Sequence, residues 1–174
     1  SSRPMRKISA LTLCLLLSAA VAATAQEPKK PLSPPAKAET TLNGKKVTID
    51  YSAPSKRGRA IMGGLVPYGK VWRTGANAAT TLTTATDLML GNLHVPAGTY
   101  TLYTIPGEQD WTLIVSKQTG QWGSNYDESQ DLGRVKMTVK PVKDTVETFV
   151  IGIDPKALTL TWENTQASVP VMVH

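Results

Sequence analysis

Residues 68–80 (YGKVWRTGANAAT) concentrate the groups that can shape a binding site: Tyr68, Trp72, Arg73 and Asn77, with Gly69 and Gly75 between them. Arg73 presents a planar fork of donors suited to a carboxylate, a phosphate or a set of backbone carbonyls. Asn77 both donates and accepts, and Tyr68 and Trp72 offer flat apolar faces with polar tips. The glycines permit backbone shapes closed to other residues. Two readings of Arg73 compete. In one it walls a ligand pocket; in the other Arg73 and Asn77 pin a long loop by hydrogen-bonding its buried carbonyls. A basic run, Ser55-Lys-Arg-Gly-Arg59, is either a solvated turn or a second contribution to the same surface. It makes an anion site with Arg73, through Arg57 or Arg59, only if the two loops converge.

A second cluster, Gln121-Trp-Gly-Ser-Asn-Tyr-Asp-Glu128, holds two aromatics and two acids. Trp122 beside Asp127 and Glu128 suits a sugar ring or a peptide, the ring face stacking while the acids take hydrogen bonds; alternatively Trp122 and Tyr126 cap the end of the fold. Asp127 and Glu128 are adjacent, so on a regular element they diverge, which disfavours the paired-carboxylate geometry of a glycosidase. The histidines are His94 and His174, and no His-x-x-x-His, nucleophile elbow, P-loop or dinucleotide fingerprint occurs. No metal and no cofactor is therefore expected. Asp127, Glu128 and His94 are the groups left for acid–base work, and the balance leans away from an enzyme.

These residues must be positioned by β structure. Residues 37–42 and 45–51 flank Asn43-Gly44, whose positive φ angles suit a type I′ hairpin turn. Val47, Ile49 and Tyr51 alternate with polar residues, which buries one face. Further short strands are expected over 80–86, 88–90, 99–105, 111–116, 134–140, 145–153, 158–162 and 169–173, separated by Gly, Pro and Asn turns such as Gly91-Asn92. Pro141 and Pro170 mark strand ends or edge strands, and Lys136 and Lys140 face outward. The expected fold is all-β: an antiparallel β-sandwich, or a barrel-like variant, of about nine or ten short strands with a long irregular loop over 52–79.

The first 25 residues read as a signal peptide: Arg6-Lys7, an apolar run over 8–21, then Ala23-Thr24-Ala25. Residues 26–35 (QEPKKPLSPP) form a Pro-rich linker, and 36–174 a single domain. Cys14 lies inside the apolar run, so the mature chain carries no cysteine and no thiol chemistry. The net charge is +6; Arg3, Arg6 and Lys7 account for three of the nineteen basic residues, leaving sixteen against thirteen acids, or +3. That is too weak, and too scattered, for nucleic-acid binding. The mature chain is expected to be periplasmic or extracellular, with no transmembrane helix.

The stretch Gly63-Gly-Leu-Val-Pro-Tyr-Gly-Lys-Val-Trp-Arg-Thr-Gly-Ala-Asn-Ala-Ala-Thr80 resembles a family of exported bacterial proteins designated domain of unknown function 2911. The similarity continues through Pro96-Ala-Gly-Thr-Tyr-Thr-Leu-Tyr103, Ile105-Pro-Gly107, Trp111, Gln121-Trp-Gly123, Tyr126-Asp-Glu128 and, more weakly, Leu160-Thr-Trp-Glu163. The resemblance implies a single β-rich domain exported by a Gram-negative bacterium. It implies no reaction. The expected function is a non-catalytic module that binds a small molecule, glycan or peptide through Arg59, Tyr68, Trp72, Arg73, Asn77, Trp122, Asp127 and Glu128. The alternatives are a structural domain of the envelope and an envelope hydrolase or isomerase.

Overall fold

A computed structural model of the chain describes residues 2–4 and 32–173. The expected leader, apart from residues 2–4, and the linker up to 31 lie outside the described residues. Nine strands follow: Pro35–Leu42 (β1), Lys45–Ser52 (β2), Thr81–Thr84 (β3), Leu88–Leu90 (β4), Leu93–Val95 (β5), Gly98–Ile105 (β6), Asp110–Ser116 (β7), Asp131–Ile153 (β8) and Ala157–Val173 (β9). Among the described residues the sole helical element is a 3-10 turn at Glu128–Gln130, and no helix is long and apolar enough to cross a membrane.

The strands form one antiparallel sheet in the order β1-β2-β3-β6-β7-β8-β9-β4-β5. Strands β1 and β5 remain as edges, so the sheet does not close into a barrel. It folds over instead. After β2 the chain crosses to the second half of β8, where Phe149 N–H donates to Pro54 O and Lys56 N–H donates to Glu147 O, both at 2.8 Å. Tyr51 of β2 packs edge-on against Phe149 of β8, ring centroids 5.7 Å apart, and its hydroxyl accepts from Ile151 N–H. The buried side chains of both parts, among them Ile49, Leu82, Leu102, Leu113, Phe149 and Trp162, make one core.

Local turn chemistry acts as expected. Asn43 and Gly44 adopt φ of 49° and 74° between β1 and β2, pairing Leu42 with Lys45. Gly91 (φ 58°) turns β4 into β5. Alternation holds in β8, where Val135 and Met137 are buried while Lys136 and Lys140 are exposed.

The prolines differ from expectation. Pro141 and Pro170 sit inside long strands: residues 134–140 and 145–153 are one strand, as are 158–162 and 169–173. Pro141 is exposed where the β8–β9 register shifts, so its missing N–H costs the ladder little. Pro170 follows the last β8–β9 pair at Ser168, and its carbonyl accepts from Gly91 N–H. Strand β9 has neighbours on both sides, so Pro170 is not on an edge.

The central strands β6 and β7 are buried on both faces. Leu102, Leu113 and Val115 point to the core. On the opposite face Thr101, Tyr103, Ile114 and Ser116 are buried as well. The loop between β7 and β8 covers that second face and thereby builds the candidate site.

Candidate functional site

The loop singled out by its composition is a bulge in the line of β3. Trp72 N–H donates to Thr104 O at 2.7 Å, and Thr104 N–H donates back to Trp72 O at 3.1 Å. Leu102 N–H donates to Thr80 O at 2.9 Å. Residues 72 and 80 are thus anchored on the same edge of β6, and 73–79 loop out between them. Threonines secure the loop from within. Thr80 Oγ1 donates to Thr74 O at 2.7 Å, and the Thr74 and Thr104 hydroxyls are 3.0 Å apart, all three residues being fully buried. Gly75, at φ 149°, lies so close to β2 that a Cβ would sit 3.0 Å from Ser52 O.

The loop between β7 and β8 docks on this bulge. Ala79 N–H donates to Gln121 O, and Gly123 N–H donates to Asn77 O at 2.9 Å. A Cβ on Gly123 would lie 2.6 Å from Asn77 O and 2.9 Å from Arg73 Cδ, so glycine is what lets the Arg73 stem cross there. Beneath, Gln121 Nε2 donates to the Tyr103 hydroxyl at 2.9 Å and to Thr101 Oγ1 at 3.1 Å. Tyr126 packs edge-on against Tyr103 at 4.7 Å.

A third wall comes from residues 53–66. Glu163, at φ 56° where the β8–β9 register shifts, reaches across to hold it. Its carboxylate pairs with Lys56 and accepts from Ile61 N–H at 3.2 Å and Met62 N–H at 3.1 Å. Burial pushes the Glu163 carboxyl up, but Lys56 and the two amides outweigh it, and the group is held below the ordinary value of 4.5. Arg59 pins the same loop, donating through Nε to Lys56 O at 2.9 Å and through Nη2 to Ser55 O at 2.7 Å.

Between these walls lies a pocket of about 450 Å³. Arg57, Arg59, Arg73 and Asn77 supply its polar side, and Trp72 and Trp162 stack at its apolar base, centroids 6.0 Å apart. A second hollow of about 350 Å³ adjoins it, sharing Leu65, Trp72 and Arg73 and adding Val71, Tyr103 and Tyr126. Among the described residues no acid lines either hollow. The half-buried Arg73 makes no hydrogen bond or ion pair with any described residue, and neither does the Arg57 guanidinium. Among the described residues, then, no carboxylate pairs with the guanidinium of Arg57, Arg59 or Arg73, although that of Glu147 accepts from Arg57 N–H at 3.0 Å.

The two tyrosines of the second hollow add no opposing charge. Burial pushes the Tyr103 phenol up, against a hydrogen bond from Gln121. Burial likewise raises Tyr126, helped by its bond to Asp131 and opposed by Arg134. Both are neutral near pH 7.

Of the residues expected to form the site, Arg59, Trp72, Arg73 and Asn77 meet in the pocket. Tyr68 does not line it; its ring packs over Gly63, where a Cβ would come within 2.9 Å. Trp122 is 53% exposed, bridges to Ala78 through the backbone and lines neither hollow. Asp127 accepts from Ser129 N–H at 3.0 Å and caps the 3-10 turn. Glu128 faces Arg134 at 3.3 Å. The convergence expected of Trp122 and Glu128 on Arg73 is thus not realised, because Asp127 caps the turn of its own loop and Glu128 pairs with Arg134 of β8. Sequence reasoning missed Leu65, Tyr103, Trp162 and Glu163. The only signal was their place in the motif matches, and nothing local distinguished them from core or surface residues.

Chemically the site can hold an anion and cover an apolar group. His94 lies elsewhere, beside Asp87 at 3.8 Å. Among the described residues no cluster of three His, Cys, Asp or Glu side chains is placed to hold a metal. No curated protein and no solved structure shows a match to this chain. A family profile does: the one described as Protein of unknown function (DUF2911) matches residues 33–171. Since that span takes in every strand from β1 to all but the last two residues of β9, and all three walls of the site, the chain belongs to this family.

Proposed function

We propose that this protein is a non-catalytic binding module of the periplasm or the cell exterior, and that its arginine pocket captures a small anionic ligand. The observation that carries this reading is Arg73, a half-buried guanidinium with no acceptor among the described residues, set in a pocket with Arg57 and Arg59 whose described lining holds no acid. Gathering like charges costs free energy unless a counter-charge arrives. The guanidinium groups of Arg57 and Arg73 take no part in holding the loops: Thr74, Thr80 and Thr104 secure one, and Glu163 and Arg59 the other. The pocket size falls in the range of small-molecule sites. Export rests on the leader-like pattern of residues 6–25, and is tested by whether the secreted chain starts at Gln26 by mass spectrometry.

Titration calorimetry with benzoate, glucuronate and inorganic phosphate tests the pocket, using the intact chain and Arg73→Met. Methionine keeps an apolar stem over Gly123 and removes the charge. At least one anion is expected to bind, with affinity falling roughly 10- to 150-fold in the variant, the equivalent of a charge-assisted hydrogen bond of about 1.5–3 kcal/mol. Added salt should weaken the interaction. Absence of binding by all three anions sinks the reading.

A structural role for Arg73 is the second reading, favoured by the contact of its stem with Gly123. It requires Arg73→Ala to unfold the loops and Arg73→Met to leave them intact, with no anion binding in either.

A further inference from the structure

We infer that the ligand is a small amphipathic acid, its head among Arg57, Arg59 and Arg73 and its apolar tail in the adjoining hollow. The inference rests on the anion reading of the arginine pocket and adds the chemistry of what is attached to the anion. Arg73, Trp72 and Leu65 line both hollows, so a molecule anchored at Arg73 has the second hollow directly beside it. Among the described residues that line the second hollow, Arg73 alone is charged. Its walls are Val71, Pro67, Leu65 and the rings of Tyr103 and Tyr126, whose phenols stay neutral and whose hydroxyls are engaged by Gln121, Asp131 and Arg134.

Leu65 is 46% exposed and Val71 38% exposed, large apolar surfaces left to water at the mouth of an otherwise buried aromatic cluster. A tail laid there removes that apolar surface from water, although the Ser124 hydroxyl in the lining has no bond to any described residue.

The surroundings argue against an extended peptide. Recognition of a peptide strand uses free backbone donors and acceptors along an edge. Here Trp72 N–H and O are paired with Thr104, Gly69 N–H with Pro106 O, and Asn77 O with Gly123 N–H. Recognition is left to side chains, and charge complementarity selects the acid head.

The test is a chain-length series on the full protein, read by calorimetry below the micelle concentration: acetate, butanoate, hexanoate and octanoate, with hexanol and hexyl phosphate as controls. Affinity is expected to rise about fourfold for each methylene that enters the hollow, the equivalent of about 0.8 kcal/mol of apolar burial, until the tail outgrows it. Hexanol is expected not to bind measurably, and hexyl phosphate to follow hexanoate within tenfold. Val71→Ser and Leu65→Ser, both at partly exposed positions, are expected to flatten the gain per methylene. Acids that bind equally at every chain length overturn the tail assignment and leave the arginine pocket standing. A series in which no acid binds overturns the pocket reading first and the tail with it. Binding seen only to vesicles or above the micelle concentration also overturns the proposal, since it makes the site a membrane contact.

Discussion

Replacing Glu163 by Gln tests how the arginine pocket is assembled. The carboxylate ties β9 to residues 56–62 through Lys56 Nζ, Ile61 N–H and Met62 N–H, and that segment carries Arg57 and Arg59. Glutamine has the same shape but only one accepting oxygen and no charge. Whichever way the amide is turned, at least one donor of the three faces an NH2 group, and Lys56 loses its counter-charge. The side chains of Lys56 and Glu163 are 16% and 21% exposed, so water compensates only in part. Breaking a buried pair from one side costs about 3–5 kcal/mol, and the residual exposure brings the expectation to roughly 2–3 kcal/mol. For a domain of this size that corresponds to a fall in Tm of about 5–10 °C.

The pH dependence gives a second check. Glu163 is held below its ordinary value of 4.5 in the folded state, so its stabilisation is fully present above that value and is lost as pH falls through the folded pKa. The melting difference between the wild-type protein and Glu163→Gln should be constant from pH 7 to 5 and shrink below pH 4.5. Thermal melts by circular dichroism at stepped pH measure it. Equal melting temperatures at pH 7, or a gap that persists undiminished at pH 3, refute the reasoning. The backbone supplies a further control: at φ 56° a non-glycine residue carries roughly 1–2 kcal/mol of strain, so Glu163→Gly should melt above Glu163→Ala although both lose the carboxylate.

The two arginines of the pocket should separate by role. Arg59→Met removes donors to Lys56 O and Ser55 O and should cost about 1–2 kcal/mol in chemical denaturation, whereas Arg73→Met, which breaks no bond to a described residue, should stay within about 0.5 kcal/mol. Gly123→Ala places a methyl 2.6 Å from Asn77 O and should cost roughly 1–3 kcal/mol, with faster hydrogen exchange at the amides of Ala79 and Gly123. Tyr126→Phe loses the bonds to Asp131 and Arg134, about 1 kcal/mol near neutrality. Because burial holds the Tyr126 phenol above 10.0, its contribution should be complete below that pH and vanish as pH rises through the folded value; the variant should also lose part of the late phase in an ultraviolet tyrosine titration.

Local chemistry was legible in the sequence. Asn43-Gly44 and Gly91-Asn92 specify hairpin turns because few residues tolerate positive φ, and the alternation of Val135 and Met137 with Lys136 assigns faces because strand side chains alternate. The density of Arg, Asn, Trp and Gly in 68–80 marked the loop that walls the pocket for the same reason: those residues are needed where backbone is irregular and side chains must be aimed.

What the sequence could not decide was which loop meets which, since that follows from strand order. Glu163 reaches Ile61 across more than a hundred residues because the register shifts of β8 and β9 turn its side chain toward the loop that leaves β2. The loop of Trp122, Asp127 and Glu128 does dock on the bulge, but through its backbone, while its acids serve Ser129 and Arg134. Arg59 pins a loop and also lines the pocket, whereas Arg73 lines the pocket without a bond to any described residue. Arg59 and Arg73 are chemically identical forks, and a fork reads the same in sequence whether it ends on carbonyls or on solvent. Only the folded chain brings Ser55 O and Lys56 O to Arg59, gives the carbonyls of the other loop to threonines and amides, and leaves Arg73 facing the cavity.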